Sequence, residues 1–215
     1  MKKFFILSLF ICIFLCGCTP VEEMSIEEVI EQGTNSSVSI YNKYRKGYKY
    51  YLPRSVKVKN IFDYNEVLYS GSNMYYLYVD AVSYYNQVIE TYNVNESSYV
   101  SLPISYEDKY GYLEINELKS GKYFIEIMYN YAKIEVIVKK EDIKVTLVNC
   151  MSILKSIRFN DEVLKSLLDE ETSQFREFEF NIFETATTTE SEYLEAIDSS
   201  IYVEEEDIYD SDLIN

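Results

Sequence analysis

The stretch Tyr123-Phe124-Ile125-Glu126-Ile127-Met128-Tyr129 decides the fold class that we predict for this chain. Tyr123, Ile125 and Ile127 occupy alternate positions, and alternate side chains of a strand point to the same face of a sheet. The same alternation occurs over residues 112–116 and 133–139. Turn-forming residues, Lys119-Ser120-Gly121 and Asn130, separate the three segments. The pattern therefore predicts an antiparallel meander with one apolar face.

A change in apolar spacing after residue 139 predicts a helix that follows the sheet. The apolar residues now recur at helical intervals: Ile143, Leu147, Cys150, Leu154 and Ile157. Asp142 precedes them in a position where it can cap the helix. Because the apolar stripe covers one side, we expect this helix to lie across the apolar face of the sheet. After a break at Asn160 and Asp161, apolar residues over 163–168 predict a last short helix.

The region before the sheet carries its own helix and strand signals. Ser25 and Glu28 have the spacing of a capping box, and the helix that they begin would end at Gly33. Residues 37–44 predict a second helical piece, since their apolar residues align at helical spacing. Residues 48–53 predict the first strand, which ends at Pro53 because proline has no N–H for a sheet. Residues 74–85 give the strongest strand pattern.

The first residues have the character of an export signal. Lys2 and Lys3 precede an apolar run over residues 4–15, which is shorter than the roughly 20 residues of a membrane-spanning helix. The sequence Leu15-Cys16-Gly17-Cys18 that follows resembles the lipobox of bacterial lipoproteins, although Cys16 is unusual at its position. The resemblance implies cleavage between Gly17 and Cys18 and a diacylglyceryl group on the Cys18 thiol. An ordinary cleaved signal peptide and an uncleaved anchor are the alternatives.

The lipobox resemblance also implies a location. Acyl chains on Cys18 would hold the protein stably on a membrane, because two chains suffice where one is marginal. We therefore expect a lipid-anchored protein at the extracytoplasmic face of the cell membrane, with the membrane itself as its first partner.

These signals divide the chain into four segments. Residues 1–17 are the predicted signal peptide, 18–24 a tether, 25–170 the folded domain and 171–215 an acidic tail. The domain is predicted to be α+β, an α/β sandwich of an antiparallel sheet and a C-terminal amphipathic helix, with short N-terminal helices. The tail has 14 acidic residues against the single basic residue Arg176, a composition typical of disorder. Its segment 178–182 could instead add an edge strand or dock on a partner.

Composition excludes several classes of site. The formal net charge is −16, and the chain contains no His and no Trp. Without His, neither a Ser-His-Asp nor a Cys-His arrangement can form within this chain. The domain shows no basic stretch, so we expect no nucleic-acid partner. Asp207, Asp210 and Asp212 resemble a calcium loop only loosely, since its glycine and final glutamate are missing. The sequence thus offers no catalytic, cofactor or metal site.

Cysteine usage leaves one thiol in the predicted domain. Cys12 and Cys16 lie in the signal peptide, and Cys18 would be acylated, so Cys150 remains and no intramolecular disulfide is expected. Cys150 lies in the middle of the apolar stripe of the predicted helix. We interpret it as a small buried hydrophobic residue rather than a reactive thiol.

The layout over residues 48–159 resembles that of Mog1/PsbP-like domains, which include bacterial DcrB-type lipoproteins. Three features carry the resemblance: Tyr50-Tyr51-Leu52-Pro53, the meander of residues 112–139, and Ile153-Leu154-Lys155-Ser156-Ile157-Arg158-Phe159 at the end of the helix. The Gly-Trp pair that usually follows the proline is replaced by Ser55-Val56, and the acidic tail has no counterpart. The resemblance implies an α/β sandwich that assists membrane or surface complexes without catalysis. It implies no catalytic residues, since these domains share none.

Three functional hypotheses remain open from the sequence. The first is a non-catalytic, membrane-tethered domain that interacts with a protein of the cell envelope. The second is a binder of a small ligand or peptide in a tyrosine-lined cleft. The third is an enzyme that uses carboxylates or a Ser-Lys pair. Closely paired, buried carboxylates in a cleft would favour this third hypothesis.

Overall fold

The computed structural model describes residues 20–37, 40–62, 64–89 and 91–171. Leu15, Gly17 and Cys18 of the lipobox and the predicted tail beyond Glu171 lie outside the described residues. The chain divides into two units, residues 1–170 and 171–215. The description below concerns the first unit.

The first unit combines helices with antiparallel strands, which confirms the predicted α+β class. In chain order the elements are α1 (Ile26–Asn35), β1 (Lys43–Arg45), β2 (Tyr48–Tyr50), β3 (Lys57–Phe62), β4 (Asn65–Ser70), β5 (Asn73–Val79), α2 (Ala81–Asn86), β6 (Val100–Tyr106), β7 (Lys109–Glu117), β8 (Tyr123–Tyr129), β9 (Ala132–Val138), α3 (Ile143–Ser156), β10 (Arg158–Phe159) and α4 (Asp161–Glu171). Short 3-10 turns occur at Val21–Glu23 and Lys140–Asp142.

The strands form two sheets. The larger has seven strands in the order β3-β4-β5-β9-β8-β7-β6, and the smaller has the order β1-β2-β10. All neighbouring strands are antiparallel. The small sheet pairs β2 with β10, which lies more than 100 residues further along the chain, so the two ends of the domain meet there.

The predicted meander is confirmed as β7, β8 and β9. Ile125 lies opposite Ile115 on one side and Val136 on the other, and all three are buried. Asn130 and Tyr131 connect β8 to β9 with φ of 56° and 62°. Two successive positive φ angles make a tight hairpin turn whose twist matches that of the strands.

The predicted helix is confirmed as α3, and it packs across the large sheet against β8 and β9. Leu147, Cys150 and Leu154 are fully buried on its sheet-facing side. Asp142 precedes the helix as predicted, but its side chain makes no capping hydrogen bond. It accepts instead from Asn73 Nδ2 at 3.5 Å, so it links the helix start to the β4–β5 turn.

Helix α1 begins as predicted but ends later. Ser25 N donates to Glu28 Oε2 at 2.6 Å and Glu28 N donates to Ser25 Oγ at 3.1 Å, which completes the capping box. Gly33, the predicted end, lies inside the helix. A Cβ atom there would lie 2.7 Å from Met151 Cβ, so the glycine permits close packing of α1 on α3.

Two further local predictions are wrong. The helical piece over residues 37–44 is not formed: residues 40–42 are irregular and Lys43–Arg45 is strand β1. Pairing with β2 outweighs the weak local pattern. The strand predicted over 74–85 ends at Val79. Asp80 Oδ1 accepts from Ser83 N at 2.8 Å and starts α2, because an N-terminal cap favours a helix over continued strand.

Packing contacts begin within the segment predicted as a tether. Met24 is 9% exposed and belongs to the core. Lys144 Nζ of α3 donates to the Glu22 carbonyl at 2.7 Å. The 3-10 turn Val21–Glu23 is therefore attached to the start of α3.

Candidate functional site

A groove of about 490 Å³ lies beside the small sheet. The β1–β2 hairpin forms one wall through residues 44–49, and β10 with the start of α4 forms the other through residues 158–163. The groove is half open to solvent, and Tyr44 at its edge is 67% exposed. It is the feature closest to the tyrosine-lined cleft of the second sequence hypothesis.

The hairpin is fixed to the opposite wall by its turn. Gly47 has φ of +91°, and a Cβ atom there would approach Leu164 Cδ2 to 2.5 Å. The Gly47 carbonyl accepts from Asn160 N at 2.8 Å. Glycine thus serves two purposes here, a left-handed backbone and close contact with α4.

Two residues that line the groove, Tyr48 and Phe159, belong to a row of aromatic rings. The rings of Phe159 and Tyr84 are stacked with centroids 3.8 Å apart, and Tyr131 meets Tyr84 edge-on at 5.5 Å. Tyr48 lies between Phe159 and Tyr64, 6.5 and 6.2 Å away. Rings at these separations attract one another, so the row holds Tyr48 and Phe159 in defined positions beside the groove.

The Tyr84 hydroxyl links this aromatic row to Asp161 in the wall of the groove. It donates to Asp161 Oδ1 at 2.8 Å. Burial, together with the hydrogen bond to Asp161, raises the pKa of Tyr84 to about 12. The hydroxyl is therefore protonated at neutral pH and acts as a donor.

Beneath the hairpin, Glu66 of β4 is a buried carboxylate that binds three side chains. Arg45 donates from Nε to Oε1 at 3.0 Å and from Nη2 to Oε2 at 2.6 Å. The hydroxyls of Tyr48 and Tyr50 donate at 3.1 and 2.8 Å. Burial, followed by the negative charge of Glu66, raises the pKa of both tyrosines well above the usual value. The group is thus a satisfied ionic bridge between the two sheets rather than a free nucleophile or base.

The rim of the groove carries charges of both signs. Lys46, Lys49 and Arg158 line it together with Asp161 and Glu162. The Lys49 ammonium lies 4.5 Å from the centre of the Tyr41 ring, and Arg158 Nη1 donates to the carbonyls of Lys155 and Ile157. Aromatic surface bordered by charges of both signs suits a polar peptide segment.

A second group of ionisable residues lies on the face of the large sheet away from α3. Glu114, Glu126 and Glu135 form one cross-strand row, since each is the register partner of the next. Lys133 Nζ lies 2.8 Å from Glu135 Oε1 and 3.7 Å from Glu126 Oε2. Tyr112 donates its hydroxyl to Glu126 Oε1 at 2.6 Å.

Glu135 is the most perturbed carboxyl of this row. Its side chain is 1% exposed, and neither oxygen has a well-aligned hydrogen bond in spite of the Lys133 ion pair. Burial is the main cause that raises its pKa to about 7, and Lys133 opposes the shift. The row does not line the groove. Within the described part of the chain, no His, Cys, Asp or Glu residues are grouped to hold a metal ion.

Comparisons with known proteins give no match, so the functional argument rests on the contacts of the residues described above. No protein-family model matches this chain. No curated protein and no solved structure shows significant similarity to it.

Of the residues that the sequence analysis considered for lipidation, metal binding or thiol chemistry, the structure describes Cys150. It is a free, fully buried cysteine inside α3, and burial raises the pKa of its thiol. The interpretation as a buried hydrophobic residue is confirmed. Among the helices that the structure describes, none is long and apolar enough to cross a bilayer.

The groove and the Glu66 bridge escaped sequence reasoning. Glu66 lies inside strand β4 and is 1% exposed. The available signal was the alternation of Tyr48 and Tyr50, whose hydroxyls share one face of a strand. Nothing local identifies their acceptor, which is separated by 16 to 18 residues.

Proposed function

We propose that this chain is a lipid-anchored, extracytoplasmic domain that binds another component of the cell envelope without catalysis. Leu15-Cys16-Gly17-Cys18 supports the anchor, with acyl chains on Cys18. The open groove, which is lined by the rings of Tyr44, Tyr48 and Phe159, is the observation that carries the binding role. The hydroxyl of Tyr84 and the carboxylate of Glu66, which could otherwise do chemistry, are both engaged inside the protein.

The shape of the groove favours a peptide segment of a protein partner over a small molecule. Small-molecule sites usually enclose most of the ligand and are mainly apolar. This groove is half open and bordered by Lys46, Lys49, Asp161 and Glu162. A small aromatic ligand remains the second candidate, because the rings of Phe159 and Tyr48 line the groove.

We further propose a distant relation to Mog1/PsbP-like domains. Its support is the order of elements: β2 runs into Leu52-Pro53, the meander follows, and α3 closes with Ile157-Arg158-Phe159. The relation would imply an accessory role in a membrane-associated complex.

Fractionation tests the anchor. Cys18→Ala should move the protein from the membrane to the soluble fraction, because no acyl chain can be attached. Wild-type protein should stay with the membrane and contain acylated Cys18 by mass spectrometry. Retention of Cys18→Ala on the membrane would contradict the anchor.

Cross-linking in whole cells tests the groove. Tyr44→Ala with Lys46→Ala removes an exposed ring and an exposed charge at the groove. The matched control is Tyr110→Ala with Lys57→Ala, also exposed and outside the groove. Partner cross-links should fall at least about tenfold in the groove variant, a loss of about 1.4 kcal/mol, and persist in the control. Equal yields in both would remove the groove from the proposal.

A further inference from the structure

We infer that the domain lies against the phospholipid headgroups through the end that contains Val21–Glu23, the start of α3 and the β7–β8 turn. We call this the anchor-proximal end. The inference rests on the proposed acylation of Cys18 and adds which face of the domain meets the lipid.

The first step is the length of chain next to the anchor. Only three residue steps separate Cys18 from Val21, which span at most about 11 Å when fully extended. The headgroup region of one leaflet is itself about 5–7 Å thick. The acyl attachment therefore leaves little room between the domain and the lipid.

The second step is that Val21 belongs to the folded domain. Val21 packs against the core and Met24 is buried within it. Lys144 Nζ holds the Glu22 carbonyl at 2.7 Å. Since these contacts fix the start of the described chain to α3, the short connection cannot be lengthened without breaking them.

The third step is the topology around this point. The register pairs Glu117 with Tyr123 and Tyr123 with Val138, so the β7–β8 turn and the end of β9 lie at the same end of the sheet. The 3-10 turn Lys140–Asp142 then leads directly into α3. The anchor-proximal end is thus a continuous surface made by these turns.

The side chains of this surface suit a headgroup layer. Lys122, Lys139 and Lys140 are exposed there, and Val145 and Tyr99 are 52% and 46% exposed. Lysines can reach lipid phosphates from an apolar stem, and tyrosines favour the membrane interface. Glu22, Glu23, Glu117 and Glu141 are exposed at the same end, so the length of the connection, more than net charge, determines the orientation.

This orientation would keep the groove accessible. Helix α3 has 14 residues, about 20 Å of helix, and it runs from Lys144 at the anchor-proximal end towards Arg158 in the groove wall. The groove would face away from the lipid and towards a partner.

Tryptophan fluorescence tests the inference directly, because the chain contains no Trp. Val145→Trp places the reporter at the anchor-proximal end. Tyr110→Trp is the matched control, since Tyr110 is 47% exposed and lies beside the β8–β9 turn at the other end. Each full-length variant is purified from membranes and reconstituted into vesicles of phosphatidylcholine and phosphatidylglycerol with brominated acyl chains.

We expect brominated lipid to quench Val145→Trp several times more strongly than Tyr110→Trp. Equal quenching, or stronger quenching of Tyr110→Trp, in vesicle-bound protein would overturn the orientation and leave the anchor intact. Failure of the wild-type protein to float with vesicles would overturn the anchor, and the orientation with it. Tyr99→Trp replaces the first reporter if Val145→Trp loses the cooperative unfolding of the wild type.

Discussion

Arg45 binds both carboxylate oxygens of Glu66, at 3.0 and 2.6 Å, and so joins the small sheet to the large sheet. The Glu66 side chain is fully buried and that of Arg45 is 16% exposed. Tyr48 and Tyr50 occupy the remaining acceptor positions of the carboxylate. A buried charge is tolerated here because every neighbouring group supplies a donor.

Loss of Arg45 should destabilise the domain strongly. Arg45→Met leaves the Glu66 charge buried without its cation, and we expect a loss of about 3 kcal/mol in the free energy of unfolding. Urea denaturation followed by circular dichroism measures it. Arg54→Met, at an exposed position, is the control and should change stability by less than about 0.5 kcal/mol.

The double variant Arg45→Met with Glu66→Leu distinguishes the effect of an unpaired buried charge from the effect of lost packing. Since it removes both charges, it should be more stable than Arg45→Met alone. If the double variant is less stable than the wild type by the sum of the losses measured for Arg45→Met and for Glu66→Leu, the two residues do not act as a pair.

Glu135 should make stability depend on pH in one defined window. Its pKa is raised from 4.5 to about 7, so the folded state keeps its proton at pH values where the unfolded chain has lost it. The stability contributed by the protonated form is present below about pH 4.5 and is lost as the pH rises towards 7. The charged and polar groups that face it are Lys133, at 2.8 Å, and beyond Lys133 the Glu126 carboxylate with the Tyr112 hydroxyl bound to it.

Glu135→Gln tests this assignment. Relative to the wild type, the variant should gain stability between pH 5 and pH 8, by up to about 3 kcal/mol. Thermal unfolding across that range measures the difference. Glu117→Gln, at an exposed position, is the control. Its stability should change with pH in parallel with that of the wild type. A parallel profile for Glu135→Gln would show that Glu135 titrates normally.

Gly33→Ala should be destabilising, although alanine is the better helix former by about 1 kcal/mol. The new Cβ would lie 2.7 Å from Met151 Cβ, so α1 and α3 must separate. We expect a net loss of about 1–3 kcal/mol in urea unfolding. Glu31→Ala, in the same helix and exposed, should be close to neutral. A stabilised Gly33→Ala would contradict the close packing.

The Cys150 thiol should react only when the domain unfolds. It is fully buried, and burial raises its pKa, so thiolate is scarce in the folded state. Iodoacetamide labelling read by mass spectrometry should proceed at the rate of opening and rise through the urea transition. Val145→Cys, at a half-exposed site, is the fast-reacting reference. Rapid labelling of Cys150 in native buffer would show an accessible thiol.

The meander and α3 were predictable because their patterns are local. Alternation over residues 123–129 and the stripe from Ile143 to Ile157 report burial on one face within a few residues. The capping box of Ser25 was predictable for the same reason, since donor and acceptor are three residues apart. Each signal is complete within a single strand or helix.

Other elements depend on strand pairing and packing that the local apolar pattern does not record. Lys43–Arg45 became a strand through pairing with β2, and β2 is completed by Arg158 and Phe159. The glycine at position 33 predicted a helix end, but it lies inside α1 because the close contact with Met151 requires a residue without a Cβ atom. Val100–Tyr106 became the edge strand β6, where Pro103 can be accommodated. Local preference alone was too weak to determine these outcomes.

The sequence by itself determined the α+β class, the order of its main elements and the prediction of an anchor at Cys18. Only the tertiary structure decided that Arg45, Tyr48 and Tyr50 meet Glu66, and that residues 44–49 and 158–163 enclose a groove. The reason is physical. Periodicity records which face of an element is buried, whereas a site requires contacts between elements whose separation in the chain leaves no mark on local sequence.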